Sequence, residues 1–222
     1  MEDRVAIFID GSNLYHALKS NFGRNDLYFA GFIAKLCGPR PLFRTYYYNV
    51  LQEQDKWPET HKEQQDFLEV LHKTPYLETR LGRTKVAQGI PIEKGIDVML
   101  STDLLYFAWN NSYDVAILVS GDSDFGYALQ AVKNMGKHVE VAYFENAVSK
   151  DLLDIVDNQH LLDRVFFSSL WAGKRYIKRR RAPVRTKALP IQFAAKVQPV
   201  PFKAAELNHS HSAPSNSINL EL

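Results

Sequence analysis

The sequence predicts an α/β protein in which helices cover both faces of a mostly parallel sheet. Short runs rich in β-branched residues alternate with helical patterns over the first 170 residues, and this alternation is typical of right-handed βαβ units. The central run, Val115 to Val119, leads through the turn SGDSD into a helical pattern, which indicates a buried parallel strand followed by a helix. With 222 residues, 45% of them hydrophobic, the chain is long enough for one well-buried domain and an appendage.

Each element of the N-terminal part is predicted from its own pattern. Runs of β-branched or aromatic residues indicate strands, hydrophobic residues at helical spacing indicate helices, and glycine or proline indicates where an element ends. In chain order we predict a strand at residues 4–9, a helix from Leu14, a helix at 27–36, a strand at 42–50, a surface helix at 58–73 and a short strand at 76–81. Tyr46 and Tyr48 share one face of their strand and Tyr47 lies on the other, where we expect all three to belong to the core.

The following segments continue the alternation. Residues 82–91 contain turn residues and two strong cations, so we expect an exposed loop there. In chain order we then predict a largely buried helix at 93–109, the central strand, a helix from Asp124, a strand at 138–144 and a short helix at 149–157. Residues 161–171 are apolar, but their pattern does not decide between helix and strand.

Composition excludes several classes of protein. A single cysteine, Cys37, excludes an internal disulfide framework, and no cysteine or histidine cluster has the spacing of a zinc site. The N-terminal apolar segment is interrupted by an aspartate, unlike a signal peptide, and no apolar run reaches the length of a membrane span. We therefore expect a cytoplasmic protein with no membrane association.

The net charge of +2 is unevenly distributed. Residues 171–222 contain ten Lys or Arg and two Glu, a balance of +8, which leaves residues 1–170 at −6. The stretch from Lys174 to Lys187 holds eight of those cations and no acid, and the remainder is rich in Pro, Ala, Ser and Asn. We predict a folded domain at residues 1–170 and a basic, disordered, low-complexity tail at residues 171–222.

Four aspartates are expected to meet at one edge of the sheet. The carboxyl ends of parallel strands, and the helices that follow them, lie on the same edge. Asp10 follows the first strand, Asp122 and Asp124 follow the central strand, and Asp97 opens the helix that enters from that side. Gathering these carboxylates is costly because like charges repel, and a divalent cation removes that cost. Oxygen ligands without thiol or imidazole favour Mg²⁺ or Mn²⁺.

The predicted site suits phosphodiester hydrolysis, since metal ions held by carboxylates lower the pKa of a bound water and stabilise the leaving oxygen. Asn13 is a candidate for orienting a water or an acid, and closing its own turn is the alternative role. Ser12 and Ser120 are supporting candidates with the same ambiguity. Taken alone, Asp122 would more often be a helix cap, and Asp97 would only complement a helix N-terminus.

Three segments also resemble the signature blocks of a known family. They are FIDGSN at residues 8–13, EKGIDVMLSTDLL at 93–105 and LVSGDSDFGYAL at 118–129. In order and spacing they resemble the NYN domain, a branch of the PIN-like nuclease superfamily that includes the bacterial LabA-like proteins, also called the domain of unknown function 88 family. The resemblance covers residues 3 to 165. It implies a PIN-like three-layer α/β/α sandwich with a central, mostly parallel sheet.

The resemblance also implies a function, that of a metal-dependent ribonuclease. By motif, Asp10 is the acid of the first strand, Asp97 the acid of the KGxD block, and Asp122 and Asp124 the acids of the SGDxDF block. These four residues are the expected catalytic and metal-binding set, with Mg²⁺ or Mn²⁺ as cofactor and RNA as partner. The family block often has a proline after its phenylalanine, where this chain has Gly126-Tyr127.

Basic residues supply candidate contacts for an RNA phosphate. Lys94, expected one helical turn before Asp97, and Arg83 or Lys85 in the preceding predicted loop are such candidates. The basic tail would add salt-dependent RNA affinity that does not depend on base sequence.

The sequence leaves one alternative to the ribonuclease open and disfavours another. The first is a regulatory or RNA-binding protein that keeps the fold but hydrolyses little. The second, a nucleotide-dependent Rossmann enzyme, is disfavoured because residues 10–19, DGSNLYHALK, contain no glycine-rich phosphate loop. The sequence does not fix the oligomeric state, and we consider a homodimer as one assembly.

Overall fold

The computed structural model describes residues 2–51, 58–87 and 90–172, with the side chains of residue 60 and residues 83–94 excepted. Within these ranges the strands are β1 (Val5–Asp10), β2 (Leu42–Leu51), β3 (Leu77–Ala87), β4 (Ile90–Lys94), β5 (Val115–Val119), β6 (His138–Tyr143) and β7 (Asn158–Leu161). They form one sheet in the order β4-β3-β2-β1-β5-β6-β7. Strands β3 and β4 pair antiparallel, and every other neighbouring pair is parallel.

Helices cover both faces of this sheet. They are α1 (Gly11–Phe22), α2 (Phe29–Cys37), α3 (Pro58–His72), α4 (Ile96–Trp109), α5 (Gly126–Asn134), α6 (Lys150–Ile155) and α7 (Arg164–Phe167), with single 3₁₀ turns at Ser123–Phe125 and Glu145–Ala147. Side chains of α1, α2, α3 and α7 pack against one face, and those of α4, α5 and α6 pack against the other. The predicted three-layer α/β/α sandwich with a mostly parallel sheet is therefore confirmed.

The sheet is most deeply buried at its centre, where β1 pairs with β5. Val5, Ile7 and Ile9 of β1 point into the core under α1 and α2, whereas Ala6 and Phe8 point to the other face. Burying each larger apolar side chain contributes roughly 1.5–3 kcal/mol, so the two-residue period of the strand stabilises both layers. The predicted burial of the three tyrosines of β2 is also confirmed.

The register of β1 and β5 brings the two predicted acidic turns side by side. Ile9 pairs with Val119 at the carboxyl ends of the two strands, so Asp10 and Ser120 follow at the same level. Helix α1 then starts close to β2, since a Cβ on Gly11 would lie only 2.4 Å from the Tyr47 ring. Glycine is required there because any larger residue would push α1 away from the strand ends.

The prediction of an exposed loop at residues 82–91 is wrong. The backbone instead continues as β3 to Ala87 and returns as β4, and Arg83 pairs with Lys94 across the hairpin. The predicted short strand at residues 76–81 is thus only the first half of β3. Charged residues are tolerated because β4 is the edge strand and β3 extends past the end of β2 from Thr84 onward.

The helix predicted at residues 93–109 starts later, at Ile96, and is less buried than expected. Leu100 and Leu104 lie against the sheet, whereas Val98, Tyr106 and Trp109 are exposed. Asp103, expected to be solvated or locally bonded, instead accepts a hydrogen bond from the hydroxyl of Tyr48 at 2.9 Å.

Residues 161–171, whose structure the sequence pattern did not decide, contain the end of β7 and the short helix α7. Strand β7 was not predicted from the sequence. None of the helices in the described ranges has the length and hydrophobicity needed to cross a bilayer. The predictions for the tail from Gly173 onward lie outside the described residues.

Candidate functional site

A cleft of about 450 Å³ opens at the carboxyl edge of the sheet. Its walls come from the start of α1, the start of α4, the turn after β5 and the turn after β6. The lining residues are Asp10, Ser12, Asn13, His16, Ala17, Ser20, Gly95, Ile96, Asp97, Asp122, Asn146 and Ala147. Among these described residues there are three carboxylates and no lysine or arginine, so the cleft is acidic.

Asp10 is the most deeply buried acid of the cleft, with 7% of its surface exposed. Its Oδ1 accepts the N–H of Asn13 at 3.0 Å, which caps α1, and its Oδ2 accepts the Ser120 hydroxyl at 3.3 Å. Burial raises the pKa of Asp10 above its ordinary value, and the negative charges of Asp97 and Asp122 raise it further, whereas both hydrogen bonds oppose the rise. Binding of a proton or a cation at Asp10 would therefore lower the cost of burying its charge.

Asp122 is held in the turn after β5 by two backbone hydrogen bonds. Its Oδ1 accepts the N–H of Asp124 at 3.0 Å, and its own N–H donates to Ser120 Oγ at 3.2 Å. The expected capping role is thus present, because Asp122 starts the 3₁₀ turn Ser123–Phe125. The cap uses only the Oδ1 atom of the Asp122 carboxylate. Asp122 is half-buried and also lines the cleft, so capping does not remove it from the site.

Asp97 reaches the cleft from the opposite side of the sheet. Gly95, with a φ of +85°, turns the chain from β4 into α4, a left-handed conformation that favours glycine. Asp97 lies in the first turn of α4 and is exposed toward the cleft. After burial, the negative charge of Asp97 is one of the causes that raise the pKa of Asp10.

Asp124, the fourth predicted acid, is placed differently. It is exposed and does not line the cleft, and it contributes its backbone N–H to the Asp122 cap. The structure therefore brings three of the four predicted aspartates together and leaves Asp124 beside them.

The residues predicted to support the four aspartates lie at different places relative to the cleft. Ser12 and Asn13 line the cleft, and Ser12 donates to the Asn49 side chain at 3.3 Å. Ser120 is buried beneath the cleft and bonds to the two acids described above. Lys94 is the last residue of β4, so its predicted position inside the helix is wrong, and its side chain lies outside the described part of the structure.

Three polar lining residues were missed by the sequence analysis, namely His16, Ser20 and Asn146. His16 and Ser20 follow Asn13 by three and seven residues, which places all three on one face of α1. That helical spacing was a signal available in the sequence. Asn146 comes from the turn after β6, where its Oδ1 accepts the side-chain amide of Asn21 at 3.1 Å, and no local pattern predicts this contact.

The turn after β6 closes the cleft because Gly121 lets it approach. A Cβ on Gly121 would lie 1.6 Å from the carbonyl oxygen of Ala147, a distance that no side chain tolerates. The N–H of Ser149 donates to the carbonyl of Gly121 at 3.0 Å. These contacts fix Asn146 and Ala147 at the rim.

The oxygen atoms of the side chains that line the cleft are of the kinds that bind a hard divalent cation. Carboxylate, amide and hydroxyl oxygens predominate, and these are the ligands that Mg²⁺ prefers. Among the described residues, no three His, Cys, Asp or Glu side chains are spaced so that they could together hold a metal ion. The fit is therefore to an ion held by one or two carboxylates with water completing its shell, which is the usual mode for Mg²⁺.

Comparison with known proteins gives a family and a fold. The family model described as the NYN domain matches residues 4–163. The crystal structure of a protein of unknown function, VPA0982 from Vibrio parahaemolyticus RIMD 2210633, is similar with a TM-score of 0.61 and 22% sequence identity, covering 73% of this chain and 94% of that chain. At this identity the likeness shows the fold alone. No curated protein matches the chain.

Proposed function

Because the chain belongs to the NYN domain family of PIN-like nuclease domains, we propose that it is an endoribonuclease that hydrolyses RNA phosphodiester bonds with Mg²⁺ or Mn²⁺. The observation that carries the proposal is the meeting of Asp10, Asp97 and Asp122 in one cleft at the carboxyl edge of the sheet. Three separate segments supply these acids. The pKa of Asp10 is raised mainly by its burial and further by the charges of Asp97 and Asp122, which is compatible with carboxylates that bind a cation.

One or two of the three aspartates would hold the ion, with water completing its shell. When bound, a divalent cation would activate a water and neutralise charge on the scissile phosphate and the leaving oxygen. The side chains of Asn13 and Ser12, next to Asp10 on α1, are available to orient that water or the phosphate. Ser120 fixes the direction of the Asp10 carboxylate from below.

Several features favour a nucleic acid strand as substrate. The cleft volume of about 450 Å³ is that of a site for one nucleotide-sized group, and its polar floor continues along α1 from Asn13 to His16 and Ser20. The acidic lining by itself would repel a phosphodiester, so a divalent ion is needed for affinity as well as for chemistry. The eight cations between Lys174 and Lys187 would add affinity for the backbone at low salt.

The test is cleavage of a labelled single-stranded RNA by the purified protein, with Mn²⁺ or Mg²⁺ and with a chelator as blank. We expect Asp122→Asn to lower the rate at least a hundredfold. Asparagine caps a helix about as well as aspartate, so the loss would report the charge rather than the turn. Asp124→Asn is the matched control, because it makes the same change two residues away and outside the cleft, and we expect it to keep most of the activity.

Two results would overturn the ribonuclease. One is wild-type protein that cleaves no RNA under any divalent ion, and the other is cleavage that persists unchanged in Asp122→Asn. Equal losses in the Asp122 and Asp124 variants would instead overturn the role assigned to the cleft.

A second candidate is an RNA-binding or regulatory protein that keeps the NYN fold and hydrolyses little. The observation that favours it is the lack, among the described residues, of three metal-binding side chains already at coordinating distance. Metal-independent retardation of RNA in a gel, without cleavage, would support this candidate.

A further inference from the structure

The outer face of α4 is apolar and exposed in the part of the chain that the structure describes. Val98 is 71% exposed, Tyr106 60% and Trp109 77%, although these are large hydrophobic residues. The only charged residues of α4 are Asp97, which lines the cleft, and Asp103, which bonds to Tyr48. The outer face therefore carries no formal charge over a helix about 21 Å long.

The residues of this face have the spacing of a seam between two helices. Val98, Thr102, Leu105 and Trp109 are separated by four, three and four residues, so they form one stripe along a helix. Val98, Thr102 and Trp109 are exposed and Leu105 is half-buried. A surface helix normally shows charged residues at such positions, and an apolar stripe there indicates a contact surface.

We propose that this stripe is the interface between two copies of the chain, with the two α4 helices antiparallel about a two-fold axis. The pairs Val98 with Trp109 and Thr102 with Leu105 are both centred between residues 103 and 104. A two-fold axis through that point therefore sets Val98 of one copy against Trp109 of the partner copy, and Thr102 against Leu105.

The size of the side chains selects this arrangement. In the antiparallel pair a small residue faces a large one at every level, which fills the space between the helices evenly. A parallel pair would place two tryptophans at one level and two valines at another, leaving a clash and a gap. An uncharged patch is also self-complementary, as a two-fold interface requires.

One polar group within the stripe, the hydroxyl of Thr102, is already satisfied. The hydroxyl of Thr102 donates to the carbonyl of Val98 at 2.6 Å, so the interface can cover it without losing a hydrogen bond. Its methyl group remains to face Leu105 of the second copy. The hydroxyl of Tyr106, at the border of the stripe, can stay in water.

The test is the oligomeric state of the full chain by sedimentation velocity, over a concentration series reaching about 100 µM because a single helix pair buries less than a standard interface. We expect the wild type to be a reversible dimer. The dissociation constant of this dimer should rise about a hundredfold in Val98→Glu. The two-fold axis places two introduced carboxylates in the interface, and each should raise the dissociation constant at least tenfold. Val165→Glu is the matched control, because Val165 is 75% exposed but lies on α7, against the opposite face of the sheet. The control should dimerise like the wild type.

A charge-pair variant tests the antiparallel arrangement itself. The Val98→Lys, Trp109→Glu double variant places the introduced lysine of one copy against the introduced glutamate of the other only when the helices are antiparallel. We expect Val98→Lys alone to be monomeric and the double variant to dimerise again. A double variant that stays monomeric would overturn the pairing.

Other results would overturn the interface as a whole. They are a wild-type protein that is monomeric throughout the series, a dimer that is unaffected by Val98→Glu, and a dimer that Val165→Glu weakens equally. Circular dichroism of each variant would confirm that the exposed substitutions leave the fold intact. This test does not depend on the proposed nuclease activity.

Discussion

The hydroxyl of Ser120 donates a hydrogen bond to Oδ2 of Asp10 at 3.3 Å, although the two residues are 110 positions apart in the chain. The same hydroxyl accepts the N–H of Asp122 at 3.2 Å. One buried serine thus connects the acidic turns that follow the two central strands. Burial raises the pKa of Asp10, and the bond from Ser120 opposes that rise by favouring the charged carboxylate.

Ser120→Ala should therefore weaken the cleft's hold on a cation. Without the hydroxyl, the pKa of Asp10 rises further and its carboxylate loses a fixed direction. We expect the Mn²⁺ concentration for half-maximal RNA cleavage to rise about tenfold, as is usual for residues that orient a metal ligand. Ser123→Ala, at an exposed serine of the same turn, is the control. An unchanged Mn²⁺ dependence in Ser120→Ala would contradict the role of this bond.

Gly121→Ala should disrupt the cleft by steric overlap. The added Cβ would lie 1.6 Å from the Ala147 carbonyl oxygen, so the turn after β6 must move. We expect the free energy of unfolding, measured in urea, to fall by about 3 kcal/mol. Gly126→Ala is the matched control, because its Cβ would meet only the end of the Ile155 side chain at 3.0 Å. Equal stability of both variants would show that the turn is not fixed by this contact.

The acidic edge could be predicted from the sequence because it follows from topology. Parallel strands place their carboxyl ends together, so the positions of Asp10 and Asp122 could be predicted without any knowledge of side-chain contacts. Asp97 was expected at the same edge, but it follows β4, which pairs antiparallel with β3, so this rule does not account for its position. Asp124 could not be separated from them, since the difference depends on the Asp122 cap, which takes the Asp124 backbone N–H.

The parts that could not be predicted depend on contacts between distant segments. The edge hairpin formed by β3 and β4 has turn-like residues, and its strands are defined by their partners rather than by their own pattern. The hydrophobicity of α4 indicated burial, but it could not tell which face of the helix is exposed in the described part of the chain. Asn146 enters the cleft only because Gly121 allows a close approach.

A partly buried ion-pair cluster around Glu140 should make stability depend on pH. Glu140 of β6 accepts hydrogen bonds from Arg40 at 2.7 and 3.0 Å and contacts His160 Nε2 at 2.7 Å. Although burial alone would raise the pKa of Glu140, the bonds from His160 and Arg40 lower it from 4.5 to about 2. A carboxyl group whose pKa is lower in the folded chain stabilises the fold at pH values above its pKa in the unfolded chain. That contribution is lost as the pH falls toward 2.

Glu140→Gln should therefore lower the free energy of unfolding at pH 7 by about 2–3 kcal/mol. The difference in the free energy of unfolding between Glu140→Gln and the wild type should shrink as the pH falls from 5 and should vanish near pH 2. Urea denaturation at a series of pH values measures both effects. Glu145→Gln, at an exposed residue, should match wild type throughout, and a difference that is constant with pH would contradict the charge-based explanation.

The basic tail should contribute affinity rather than chemistry. Deleting residues 174–222 removes the eight cations between Lys174 and Lys187 and leaves every residue that the structure describes. We expect weaker RNA binding at low salt and a shallower dependence of affinity on salt, because fewer counterions are released. Cleavage of a short RNA should be retained. Unchanged affinity and salt dependence would show that the tail does not contact RNA.

The capping role of Asp10 and Asp122 has a consequence for ligand affinity. Each carboxylate is immobilised by the start of the helix or 3₁₀ turn that it caps, so its conformational entropy is lost when the chain folds rather than when a ligand arrives. Preorganised groups bind more tightly because association no longer has to order them. If the edge binds a cation as proposed, the folding of two neighbouring turns would therefore set the strength of that binding.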